Sequence, residues 1–133
     1  MSVFLDTSFL YARISPRDQW HGLAKTATFP APTAVTTSLV VSETVSLLQV
    51  RGFFSAALEF LQNIRLDDEI EIVYPDSDLQ RSGWDLLGRY GGAGANAIDC
   101  TSFAVMHARR IKLAYTFDDH FRQAGFRTLA PRK

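Results

Sequence analysis

Short apolar runs alternate with longer stretches whose apolar residues recur at helical spacing, and the alternation persists along the whole chain. Residues 2–5 form a brief apolar run suited to a strand buried on both faces. Pro16–Phe29 reads as a helix carrying Trp20, Leu23, Ala24 and Ala27, after which Pro30 and Pro32 punctuate the chain. Ala34–Thr37 is rich in strand formers, and Ser38 is placed to cap a helix that reaches Val50 and ends at Gly52. Phe53–Ile64 repeats apolar residues at Phe53, Ala56, Ala57 and Phe60, which predicts a helical hairpin with the preceding helix. Beyond the acidic turn Asp67-Asp68-Glu69, Ile70–Tyr74 predicts a strand, Pro75 stops it, and Asp76 or Ser77 caps a helix bearing Leu79, Trp84, Leu86 and Leu87. Gly91–Gly94 reads as a flexible connection; it lacks the Lys-Ser/Thr ending of a phosphate cradle. A helix opening at Asn96 or Ala97 and running through Arg109, a strand at Leu113–Phe117, a short helix capped by Asp118 and an edge strand within Phe126–Leu129 complete the series. Strands alternating with helices predict an α/β fold in three α/β/α layers around a central, mainly parallel sheet. In such sheets ligands bind beyond the carboxyl ends of the strands, where Asp6 and Asp118 stand.

Four acids interrupt this apolar pattern. Asp6 closes Val3-Phe4-Leu5, Glu43 lies on a stripe with Leu39, Val40, Leu47 and Val50, Asp99 shares a stripe with Phe103 and Met106, and Asp118 follows Leu113–Phe117. Burying an unpaired carboxylate costs on the order of several kcal/mol, comparable with a domain's whole stability. Four on inward faces therefore imply a compensating divalent cation. Asp6, Asp99 and Asp118 also suit helix starts, and Asp119 competes with Asp118 for the fourth position.

The residues around these positions resemble the PIN-domain nucleases, and among them the VapC-type toxins of bacterial toxin-antitoxin pairs. The resemblance runs nearly end to end and rests on Phe4-Leu5-Asp6-Thr7-Ser8, Ser42-Glu43, Asp99-Cys100-Thr101-Ser102-Phe103-Ala104-Val105-Met106 and Thr116-Phe117-Asp118-Asp119-His120-Phe121. It implies a metal-dependent endoribonuclease in which Asp6, Glu43, Asp99 and Asp118 are catalytic and hold Mg²⁺, with Mn²⁺ as a substitute. Hard oxygen ligands suit both ions. Ser8 is expected to donate a hydrogen bond to Asp6 or to substrate phosphate, and Asn96 to replace the family's Ser or Thr upstream of the third acid. Arg110 and Arg122 are candidate phosphate contacts. The resemblance further implies an RNA substrate, an antitoxin that fills a groove, and a homodimer or toxin-antitoxin hetero-oligomer. A stripe with Phe53, Phe54 and Phe60 is a candidate lining for that groove, or plain hairpin core.

Bulk properties narrow the field without deciding it. A length of 133 residues predicts one domain over residues 1–133, able to bury about 70% of its unfolded surface. The hydrophobic share of 47% against 21% charged is that of an ordinary globular chain, and lone Cys100 excludes an internal disulfide, which favours a cytoplasmic setting. No apolar run approaches the ~18 residues of a membrane span. Net charge is zero, yet from Arg109 onward seven bases face only Asp118 and Asp119. His21, His107 and His120 are too scattered to predict a zinc triad and are assigned to packing or surface. The alternatives are a PIN-fold RNA-binding or RNA-processing module without a toxin role, and a metal-dependent phosphatase. The phosphatase pattern requires a second Asp two residues beyond Asp6, where Ser8 stands.

Overall fold

The computed structural model describes residues 2–29 and 34–129. Pro30, Pro32 and the terminal bases Arg132 and Lys133 lie outside the described residues. Five strands, β1 (Val3–Leu5), β2 (Ala34–Thr37), β3 (Ile70–Val73), β4 (Leu113–Tyr115) and β5 (Arg127–Thr128), form one sheet in the order β3-β2-β1-β4-β5. Every pairing is parallel. Phe4 of β1 lies opposite Val35 of β2 and Ala114 of β4, so β1 is flanked on both sides, which is why Val3, Phe4 and Leu5 are all apolar and fully buried.

Among the described residues seven α-helices cover the sheet: α1 (Thr7–Ile14), α2 (His21–Thr26), α3 (Ser38–Val50), α4 (Phe54–Leu66), α5 (Ser77–Tyr90), α6 (Ala97–Arg109) and α7 (His120–Gln123). α1 packs on α2 and α3, α3 forms the expected hairpin with α4, and α5 packs along α6. That last contact is close. A Cβ on Gly83 of α5 would sit 2.6 Å from Thr101 Oγ1 and 2.8 Å from Thr101 Cα on α6. Under the sheet Phe103 meets Phe121 edge-on with centroids 4.9 Å apart, and Phe126 and Tyr90 close the cluster around Phe103.

Several sequence expectations shift. The helix expected over residues 16–29 is replaced by α1, directly after β1, and the shorter α2; Pro16 lies in the turn between them. The cap of α3 is Thr37 rather than Ser38, with Thr37 Oγ1 accepting from Val40 N at 3.1 Å. α7 begins one residue later than expected, so its N-cap position is Asp119, while the Asp118 carboxylate accepts from His120 N at 3.0 Å. Gly91–Ala93, expected as a flexible connection, forms a turn of 3₁₀ helix closed by Gly94 at φ 113°. β4 stops at Tyr115, which frees Thr116 and Phe117 to form the loop beyond the sheet. Phe54 is exposed, whereas Phe60 is half-buried against the core.

The strand order places the site. From β1 the chain winds outward through β2 to β3, then returns to the other side of β1 to build β4 and β5. The reversal opens a crevice between the carboxyl ends of β1 and β4. Asp6 follows β1 there, and Thr116 and Asp118 follow β4.

Candidate metal centre

Asp6, Glu43, Asp99 and Asp118 come from four separate segments and line one cleft of about 270 Å³ together with Thr7, Ser8, Asn96, Gly94, Leu47 and His120. A comparable cavity of about 300 Å³ between α1 and α4 holds Leu10, Ile14, Phe29, Phe60 and Ile64, but none of the four acids. Asp6 and Asp99 are buried at 2% and 6% exposure, as the apolar pattern implied. Glu43 and Asp118 are only half-buried: Asp118 lies in the loop between β4 and α7, and Glu43 lies off the inward face of α3, which is Val40, Val41, Thr44 and Leu48 and leaves Val50 in solvent. The expected inward stripe through Glu43 is thus rotated toward the rim of the cleft.

Each acid is held by its own neighbours. Asp6 Oδ2 accepts from Thr116 Oγ1 at 2.9 Å and from Ser8 Oγ at 3.0 Å, and the Ser8 oxygen in turn accepts from Phe117 N at 2.9 Å. Ser8 therefore ties β1 to the loop after β4. Asn96 and Asp99 form a capping box: Asn96 Oδ1 accepts from Asp99 N at 2.8 Å, and Asp99 Oδ2 accepts from Asn96 N at 3.0 Å. Asn96 Nδ2 also reaches Glu43 Oε2 at 3.5 Å, and Thr7 Oγ1 donates to Glu43 Oε1 at 2.5 Å. The helix N-terminus that favours Asp99 and the cleft that collects it are the same place, so its capping and site readings coincide.

The cations are elsewhere. Among the described residues no Lys or Arg lines the cleft. Arg110 sits at the C-terminus of α6, eleven residues and about 16 Å of helix from Asp99. Its neighbour Arg109 is engaged with Glu71 through two 2.8 Å bonds. Arg122 pairs with Asp119, outside the lining of the cleft.

A family profile described as PIN domain matches residues 3–127. The chain belongs to the PIN-domain family. It is 37% identical over 130 residues to the 23S rRNA-specific endonuclease VapC20 of Mycobacterium tuberculosis, covering 97% of this chain and 98% of the relative. The crystal structure of that VapC20, described as a Sarcin-Ricin loop cleaving toxin, matches with a TM-score of 0.87 at 34% identity, over 97% of this chain and 99% of that one. VapBC2 from Rickettsia felis, solved bound to a DNA fragment from its promoter, shares the fold at a TM-score of 0.68, 14% identity and 98% coverage of both chains. The PIN family, the α/β/α fold and the VapC-type ribonuclease-toxin class read from the residues are borne out.

In this PIN domain the acid cluster is electrostatically costly. Burial, reinforced by the charge of Asp118, pushes the Asp6 carboxyl up to about 7, against the hydrogen bonds from Thr116 and Ser8. Burial likewise raises Asp99 to about 6, with the charges of Asp6 and Glu43 adding to it and Asn96 and His120 opposing. Asp118 is also raised, by burial first and then by Asp99. A cluster so expensive to ionise, with no Lys or Arg among the described residues that line it and His120 as its one basic neighbour there, fits a divalent cation as its counter-charge. Asp99, Asp118 and His120 each offer a ligand atom, all within 4.8 Å of one another.

Thr7, Thr116 and His120 are site residues that the sequence reading assigned elsewhere or passed over. Each lies one or two positions from a chosen acid, and that adjacency was the available signal. His21 and His107 do pack as expected: His21 Nδ1 bonds Ala12 O at 2.7 Å, and His107 lies on Phe126 with centroids 5.0 Å apart.

Proposed function

We propose that this chain is a divalent-metal-dependent endoribonuclease, using Mg²⁺ or Mn²⁺, that acts as the toxin of a type II toxin-antitoxin pair. The observation that carries the reading is the convergence of Asp6, Glu43, Asp99 and Asp118 at the crevice between β1 and β4. The bound ion supplies polarisation of the phosphoryl oxygen, activation of water and stabilisation of the leaving oxygen. The chain's own residues orient the ligands: Thr116 and Ser8 hold Asp6, Asn96 holds Asp99, and Thr7 fixes Glu43. Among the described residues no Lys or Arg lines the cleft, so an ion held by the acids would supply positive charge toward the scissile phosphate, while Arg122, paired with Asp119 outside the lining, is a candidate contact for flanking phosphates.

The mycobacterial relative, named a 23S rRNA-specific endonuclease and a Sarcin-Ricin loop cleaving toxin, supports a ribosomal RNA loop as the proposed substrate. Loops suit the mechanism, since an unpaired strand brings its phosphates into a narrow cleft more readily than a duplex. An antitoxin partner and a homodimer or toxin-antitoxin hetero-oligomer complete the proposal, set in the cytoplasm where ribosomes are found. Among the described residues no helix is long and apolar enough to cross a membrane.

The test is incubation of the purified chain, freed of any partner, with intact ribosomes and with total RNA in Mg²⁺ or Mn²⁺. A discrete cut in the large ribosomal RNA, lost with chelator, Asp6→Asn and Asp99→Asn, is the expected result. Cleavage that survives chelation would remove the metal from the mechanism. Discrete cuts only in transfer RNA would keep the chemistry and reject the ribosomal target.

A further inference from the structure

His120 opens α7, and its side chain, 29% exposed, turns into the acid cleft. Its Nδ1 atom is buried without a hydrogen-bond partner among the described residues. It lies 3.4 Å from Asp99 Oδ2 and 3.7 Å from Asp118 Oδ1. A histidine serving only to hold these carboxylates would close one such contact to a hydrogen bond of about 2.7 to 3.0 Å. Here both stay open at once. The separations instead approach the edge between neighbouring ligands in an octahedral site, about 3 Å for bonds of about 2.1 Å. The backbone on the far side of the ring is shaped to admit it: a Cβ at position 94 would stand 3.0 Å from His120 Nε2, and Gly94 there has φ +113°, a conformation that disfavours other residues.

We infer that His120 supplies a nitrogen ligand, through Nδ1, to the divalent ion shared by Asp99 and Asp118. The inference rests on the metal-dependent reading above and deepens it, because an imidazole among carboxylates changes which ion the site prefers. Oxygen ligands suit Mg²⁺, whereas imidazole favours transition-metal dications. His120 therefore tilts this cleft away from Mg²⁺ and toward transition-metal dications, of which Mn²⁺ is the weakest binder. Coordination through Nδ1 leaves the proton on Nε2, the atom facing Gly94.

The experiment is pulsed electron paramagnetic resonance of the full chain, free of antitoxin, loaded with Mn²⁺. Directly bound imidazole nitrogen modulates the echo decay, and labelling the histidines with ¹⁵N changes that modulation in a known way. The expected result is a nitrogen signal present in the wild-type chain, absent in His120→Gln and unchanged in His21→Gln and His107→Gln. Calorimetric titration should show His120→Gln weakening Mn²⁺ binding by about tenfold and Mg²⁺ binding by much less. Mn²⁺ bound with no nitrogen signal in the wild-type chain would overturn the His120 ligand and leave the carboxylate site standing. A nitrogen signal that persists in His120→Gln would also overturn it. If Mn²⁺ does not bind the wild-type chain at all, the metal-dependent reading falls, and the His120 ligand with it. The wild-type spectrum decides even if the variant fails to fold.

Discussion

Replacing Asp6 by Asn should stabilise the metal-free protein while abolishing its activity. Asp6 is 2% exposed, and its carboxyl titrates at about 7 in the fold against 3.8 in an unfolded chain. The folded state therefore binds the extra proton between those values, and the stability this confers at low pH is lost as pH rises to 7. The loss from this residue is about 4 kcal/mol once both states are ionised. Asn carries no charge to desolvate and keeps one oxygen to accept from Thr116 and Ser8. Imperfect placement of its NH₂ group halves the benefit, leaving about 2 kcal/mol at pH 8, or about 6 °C in Tm for a chain of this size. At pH 5 the wild-type carboxyl is largely protonated and the gain falls below about 1 kcal/mol. The assay is thermal melting of both proteins in chelator at the two pH values. An Asp6→Asn protein that melts at or below wild type at pH 8, or an offset that does not shrink at pH 5, would refute the reasoning.

Adding Mn²⁺ or Mg²⁺ should raise the wild-type Tm far more at pH 8 than at pH 5, where protons compete for Asp6 and Asp99; at about a hundredfold excess over Kd the stabilisation is about 3 kcal/mol, and equal shifts at both pH values would count against the site. For the same reason cleavage in saturating RNA should rise from pH 5 to pH 7, and a flat profile would dissociate these carboxyls from catalysis. Asn96→Ala should cost about 1 kcal/mol in urea unfolding, through loss of the α6 cap, and lower cleavage more than about tenfold because Asp99 and Glu43 lose their common support. Asn96→Ser, which restores an accepting oxygen, should recover most of both; stability lost without activity would confine Asn96 to capping. Gly83→Ala should lower the unfolding free energy in urea by about 1 to 2 kcal/mol, read as a lower midpoint at constant m, since the clash with Thr101 outweighs the gain in helix propensity, and an unchanged midpoint would show that α5 and α6 yield freely.

Local chemistry sufficed to read many of the elements. β1 is legible because a strand buried on both faces needs uninterrupted apolar residues, and α6 because Asn96 and Asp99 write a capping box before Phe103 and Met106. α1 was less legible. Only Asp6 separates it from the strand, so the cap that opens it falls among the residues read as a site, Asp6-Thr7-Ser8, and no further turn residue comes before Ser15 and Pro16.

For the site, the sequence by itself determined which carboxylates lie beside apolar segments, and the burial of Asp6 and Asp99 follows from that pattern. It determined the PIN resemblance too, since that rests on short stretches of residue order. Only the tertiary structure decided what those acids meet. The rotation of α3 leaves Glu43 on the rim, a matter of helix packing that a symmetric-looking stripe of Leu39, Val40, Leu47 and Val50 does not encode. The basic tail looks continuous with Asp118 along the chain, yet Arg110 and Asp99 occupy opposite ends of α6, because a helix separates in space what it keeps close in sequence. His120 reversed the other way. Its neighbours in sequence gave no partner beyond Asp118, but the return of the chain along α6 and back through β4 sets the start of α7 beside the start of α6, with Asp99 and Gly94 against the same ring.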